Sequence, residues 1–293
     1  MKNIHELVLY ALSGGLYAVF AARAWWHLMM RSSADNGQSH SVPNQEHIWP
    51  RIVLVLALLS HGLLLHETIF RPDSMVFGFA YAISTMLWLG VGMYWLESLF
   101  LPLSGLGVLL LPSAALAVFL PWFAGGGKLL ANPASPLFKI HFVIANMAYG
   151  MLALAAFHAL LMLFIEQRLH GRGLRRLHQS IWWQRWLDAM PPLMTMEHLL
   201  FRQISVGFVL LSLTIISGVW FAEDLFGHAL RWDHKTLFAL ISWAMFAALL
   251  LGRYWYGWRG RVALRWVLAS FVMLLFAYVG SRFVVEILLG RVA

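Results

Sequence analysis

The chain has 293 residues, 61% of them apolar and 12% charged, against about 45–50% and about 25% in an ordinary globular protein. With a mean hydropathy of +0.72, a soluble fold is excluded, because its surface could not hide that much apolar area; the chain reads as a polytopic membrane protein. The absence of cysteine excludes disulfides, thiolate catalysis, cysteine-held metals and thioether attachment of a cofactor. A net charge of +8 would suggest nucleic acid in a soluble protein, but here the basic residues lie between apolar runs, where the positive-inside rule accounts for them.

Runs of the length needed to cross a bilayer predict eight helices, at 7–28, 50–70, 75–96, 101–123, 138–165, 203–222, 236–255 and 264–289. The expected fold is therefore an all-α membrane helical bundle forming a single domain over 1–293. The first run loosely imitates a secretory signal. Glu6 and Arg23 spoil that pattern, so the run is expected to remain as a helix. The third and fourth helices are joined at Glu97 to Leu101 as a tight hairpin, and the fourth carries Pro102, Pro112 and Pro121, of which Pro112 should kink it.

The connection at 166–202 is the longest. Its stretch from Arg172 to Trp186 mixes Arg172, Arg175, Arg176 and Arg185 with Trp182, Trp183 and Trp186, as an amphipathic helix on the cytoplasmic membrane face would. Pro191 and Pro192 end it, and Thr195 is placed to cap the next helix. Counting Lys and Arg puts 13 on the odd-numbered connections and eight on the even-numbered ones and the termini. That excess predicts cytoplasmic odd connections and both termini outside, in the periplasm.

An ionisable group inside a span is costly and marks a candidate function. The candidates are His61 and His66 in the second helix and His141 and His158 in the fifth; Glu97 is expected to snorkel at a membrane edge. No paired carboxylates, phosphate-binding loop, nucleophile elbow or zinc-protease motif accompanies them. Neutral imidazoles on separate helices can flank one haem iron at modest desolvation cost; a lone buried histidine can equally be a hydrogen-bonded core residue. At 1.5 Å per residue, His61 lies roughly 15 Å from the cytoplasmic face, and His66 about one and a half turns nearer the outer one. Depth alone pairs His66 with His141, and His158 reads as structural.

In the last third, Trp232-Asp233-His234-Lys235-Thr236, Ala239-Leu240-Ile241-Ser242-Trp243 and Gly257-Trp258-Arg259-Gly260-Arg261 resemble the W-D-P-K-x-T, A-L-I-x-W and G-W-R-G-R series of the cytochrome c assembly family, which includes CcsA, CcmC and HemX-like proteins. Met190 to Glu197 and Tyr278 to Arg282 look like its YpjD-type inner-membrane branch. The resemblance implies a bacterial inner-membrane protein that binds haem b non-covalently in cytochrome c biogenesis. It implies a haem handler or chaperone rather than an enzyme, with other assembly proteins as partners, the lipid bilayer as solvent and no nucleic acid. In the larger members a Trp-rich outer segment cradles haem, which makes Trp232 and Asp233 candidate contacts. The YpjD-type pattern selects His61 and His141 as axial ligands over the His66 that depth prefers. Two features depart from the larger members: His234 stands where proline is usual, and no histidine follows it. A transporter of haem or another hydrophobic anion, and a cofactor-free scaffold for a partner, are the competing functions.

Overall fold

A computed structural model describes residues 4–30, 48–71, 74–100, 106–124, 128–129, 136–170, 192–226 and 234–280. Among them are eight helices: α1 (Ile4–Met30), α2 (Ile48–Ile69), α3 (Phe79–Ser98), α4 (Gly107–Ala124), α5 (Pro136–His170), α6 (Leu193–Phe226), α7 (His234–Tyr256) and α8 (Gly260–Leu275). The first seven are long and apolar enough to cross a membrane. The 16-residue α8 runs directly into a π-helical turn, Phe276–Gly280, and the rest of the expected eighth span lies outside the described residues. So do the amphipathic connection at 172–186 and the Trp232-Asp233 pair.

The bundle is organised around α5. Its Ala148, Leu152, Ala153, Leu154, Ala155 and Ala159 are all fully buried, and it packs on α3, α6 and α8. Small residues permit this. A Cβ built at Gly150 would stand 2.7 Å from Leu89 Cβ and 3.2 Å from the Gly90 backbone nitrogen, and one at Gly207 would stand 2.5 Å from Leu152 Cδ2. Without a hydrophobic drive between helices in lipid, such close approach is where packing energy comes from. Helix α1 packs on α2 and α4, and α2 on α1 and α3. Pro112 and Pro121 lie inside α4.

The all-α expectation needs one addition. Strands β1 (Phe70–Arg71), β2 (Ser74–Phe77) and β3 (Lys128–Leu129) form a small antiparallel sheet in the order β1-β2-β3, with Phe70 opposite Met75 and Val76 opposite Leu129. Residues 75–77, read from sequence as the start of the third span, are therefore strand. Apolarity and strand preference coincide in Met75-Val76-Phe77, and Gly78 in extended conformation separates the strand from α3. The sheet joins the α2–α3 and α4–α5 connections at the end where α1 begins. Phe77, Phe138 and Phe142 pack beneath it, with Phe142 edge-on to Phe77 at 4.9 Å.

At the opposite end, α6 begins at Leu193, earlier than expected, with Thr195 and Met196 donating their backbone N–H to Pro192 O. Thr195 thus lies inside the helix and is not its cap. The α7–α8 turn is closed by Gly257 (φ 64°) and Gly260 (φ 61°), left-handed positions that favour glycine. Arg253 pairs with Glu197, donates to Trp258 O at 3.3 Å and lies 4.2 Å over the Phe201 ring. Trp258 covers Gly252 so closely that a Cβ there would stand 2.5 Å from its ring. The G-W-R-G-R segment is thereby a clamp fastening the last hairpin to α6.

Candidate functional site

His61 occupies the junction of α1, α2 and α3 and has no exposed surface. Its Nε2 lies 3.0 Å from Ser84 Oγ on α3, and its Nδ1 lies 3.4 Å from Tyr17 Oη on α1. The Tyr17 ring stands edge-on to the imidazole at 5.6 Å and is itself fully buried. One turn before Tyr17 on α1, Ser13 Oγ donates at 3.1 Å to Ser60 Oγ, the residue preceding His61, and Ser60 Oγ donates onward to Ala57 O. His5 Nδ1 and Glu67 Oε2 meet at 3.1 Å near the start of α1. Trp88 packs on Gly62 and donates Nε1–H to Leu58 O at 2.8 Å. Helix α1 thus supplies polar partners along much of the α2 face it covers.

His141 lies in the second turn of α5, half-buried against α6. Its Nδ1 is 3.0 Å from Ser217 Oγ, and that hydroxyl donates its own proton to Thr214 O at 3.1 Å. With its proton so directed, Ser217 Oγ is placed to accept Nδ1–H, the tautomer that carries the basic lone pair on Nε2, and the Thr214 backbone also hydrogen-bonds the ring. Gly218 leaves room for the ring, since a Cβ there would stand 3.2 Å from His141 Cε1.

His66 is exposed near the end of α2, its ring 5.6 Å from Phe70; Phe70 in turn meets Phe142, the neighbour of His141, at 6.3 Å. Among the described residues, His61 is held by hydroxyls of α1 and α3, and His141 by Ser217 of α6. His66 and His141 lie toward the same end of the bundle and are linked through the Phe70 and Phe142 rings. His234 opens α7 and is exposed; Trp232 and Asp233 lie outside the described residues. Among the described residues, no group of three or more His, Asp or Glu side chains is placed to hold a metal ion.

His158 is buried and enters a chain that sequence reasoning missed. Its Nδ1–H donates to Gln203 Oε1 at 3.1 Å, and Gln203 Nε2 donates to Glu97 Oε2 at 2.6 Å. Glu97, expected to reach outward at the membrane edge, is half-buried and turned to α6. The available signal was Gln203 itself, an amide at the first position of an apolar run. Tyr17, Ser84 and Ser217 carried less signal, because hydroxyls are common in spans and usually bond within their own helix.

A family model described as cytochrome C assembly protein matches residues 49–289. The chain belongs to the cytochrome c assembly protein family. The match takes in α2 and every later helix, and leaves α1 outside it. Among individual relatives, the inner membrane protein YpjD of Escherichia coli (strain K12) is 30% identical over 174 residues, 59% of this chain and 60% of that protein. The cytochrome c biogenesis protein CcsA of Prochlorococcus marinus is 39% identical over 85 residues in strain MIT 9303, 29% of this chain and 27% of that protein. In strain AS9601 it is 40% identical over 88 residues, 30% of this chain and 28% of that protein. The chain thus spans three-fifths of the length of the YpjD relative and little more than a quarter of the CcsA ones. No solved structure matches it.

Proposed function

We propose that the chain is a haem-handling protein of the bacterial inner membrane, acting in cytochrome c biogenesis together with other assembly proteins. The observation that carries this reading is the family match over 49–289, which encloses His61, His66, His141 and the Trp232-Asp233 pair. The names of the relatives, an inner membrane protein and cytochrome c biogenesis proteins, support it. The end of the bundle bearing the sheet is assigned to the periplasm on the basic-residue count.

The candidate axial ligands are His61 and His141, holding a b-type haem without covalent attachment. Haem, when bound, supplies an iron that takes axial nitrogen ligands. His141 is the readier of the two: it is only half-buried, and Ser217 Oγ is placed to take its Nδ1–H, the outer-shell pairing that would orient an Nε2 ligand. His61 fits on one condition. As arranged it is a core histidine with both nitrogens engaged and no exposed surface, so it would hold the group only if one hydroxyl gave up its place. The chain contributes binding and positioning and no bond-making residue.

The test is absorbance of protein purified from haem-replete cells. A Soret band that extracts into acidic acetone is expected, abolished or shifted by His61→Ala and by His141→Ala and unaffected by His158→Ala. If His66→Ala removes the band and His61→Ala does not, His66 is the ligand that joins His141. If the wild-type protein shows no band, the cofactor-free scaffold takes the place of this reading; the full pairing of His61 is the observation that favours it. Reconstituted vesicles that move haem across the bilayer would identify a transporter instead.

A further inference from the structure

We infer that the turn joining α7 and α8 holds the headgroup of an anionic phospholipid through Arg259 and Arg265, whether or not the bundle carries haem. The charges at this end of the bundle do not balance. Among the described residues its acids are Glu97, Glu166 and Glu197, and each is engaged within the protein. Glu197 pairs with Arg253, Glu166 accepts from Arg261 Nε at 3.0 Å, and Glu97 accepts from Gln203 at 2.6 Å. Arg259 and Arg265 are exposed and make no ion pair among the described residues. Their counter-charge has to come from outside the chain.

The place of Arg265 selects a lipid over a soluble partner. Arg265, Ala269 and Val272 are exposed and recur at i, i+4 and i+7, one stripe along α8. Apart from Arg265 that stripe is apolar, and it lies where acyl chains run. Arg265 comes five residues after Gly260, about 7.5 Å inside the start of the helix. In a helix the Cα–Cβ bond tilts toward the N-terminus, here the interfacial end. The guanidinium is therefore aimed at the headgroup level while its stem stays among the chains. A phosphodiester whose acyl chains lie along Ala269 and Val272 meets it there. Arg259 stands extended (φ −151°, ψ 175°) between Gly257 and Gly260, on a turn that Arg253 fixes by its bond to Trp258 O. Tyr254, Trp255 and Tyr256 close α7 with most of their surface exposed, amphipathic aromatics of the kind that sit at a bilayer interface. An arginine fork meets two phosphate oxygens in parallel bonds.

The experiment titrates the full-length protein in detergent with phosphatidylglycerol or with phosphatidylcholine and reads an apparent affinity from the unfolding temperature. Phosphatidylglycerol is expected to raise that temperature saturably, and phosphatidylcholine is not. Arg259→Gln and Arg265→Gln should each weaken the affinity for phosphatidylglycerol about fivefold, equivalent to the roughly 1 kcal/mol that a basic residue gains near an anionic bilayer surface. Both positions are exposed, so circular dichroism should show unchanged helix content. Arg23→Gln removes the same charge from an exposed position near the same end of the bundle and should leave the affinity as it is. An equal response to the two lipids would overturn the inference. So would a loss in Arg23→Gln as large as in Arg265→Gln, which marks diffuse surface charge. Inorganic phosphate that stabilises the wild type as phosphatidylglycerol does would also overturn it, in favour of a soluble anion.

Discussion

Gln203 donates through Nε2 to Glu97 at 2.6 Å and receives the Nδ1 proton of His158 through Oε1 at 3.1 Å, so one amide joins α3, α5 and α6. Replacing Gln203 by Leu leaves a buried imidazole N–H and a half-buried carboxylate without their partner. The expected loss is about 1–3 kcal/mol, read as a lowered unfolding temperature in detergent. The double variant with His158→Leu should lose less than the sum of the singles, since both remove the same bond; strict additivity would show the chain to be energetically idle.

The clamp at the other side of α6 makes a separate prediction. Arg253→Gln removes the pairing with Glu197, the bond to Trp258 O and the stack on Phe201 together. It should destabilise by about 2–4 kcal/mol because the carboxylate is left behind partly buried. Adding Glu197→Gln should recover part of that loss. Thermal unfolding of both single variants and the double checks it.

Gly150→Ala tests the crossing of α3 and α5. The added methyl meets backbone and a Cβ rather than the flexible end of a side chain, so the two helices must move apart. About 1–3 kcal/mol of destabilisation is expected, whereas Gly92→Ala, on the same α3 with open space around it, should be close to neutral. Equal stability of the two variants in detergent would contradict the close approach.

Orientation is tested with a reporter enzyme fused at the C-terminus. The assignment of both termini to the periplasm predicts activity for a phosphatase that works only there, and none for a cytoplasmic reporter. The reverse pattern inverts the bundle.

Much of the helical plan was legible because spanning lipid demands long apolar runs, and α1 to α7 all follow such runs. What was illegible lay where apolar pattern and local structure part company. Met75-Val76-Phe77 reads equally well as span or strand, and only pairing with Phe70 and Leu129 decides it. The hairpin signature, by contrast, had a physical meaning that could have been read: two glycines flanking Trp258-Arg259 announce a left-handed turn. The candidate histidines were found by their cost in lipid, but that cost does not say who meets them. His61 finds Tyr17 and Ser84, 44 and 23 residues away, and no spacing rule links positions on three helices.

The order in which the polar pairs occur along the chain bears on insertion into the bilayer during synthesis. Ser13 and Tyr17 precede Ser60 and His61, so α2 enters beside a helix already carrying its hydroxyl partners, and Ser84 arrives with the next span. His158 has no such advantage. Its partner Gln203 emerges with α6, a helix later, beyond the long connection at 171–192, so α5 waits in the membrane with an unmatched imidazole until α6 reaches it. The α5–α6 contact is therefore the step at which a slow or faulty insertion should first be felt, and a ribosome paused before residue 193 would hold the protein with that proton donor still unmet.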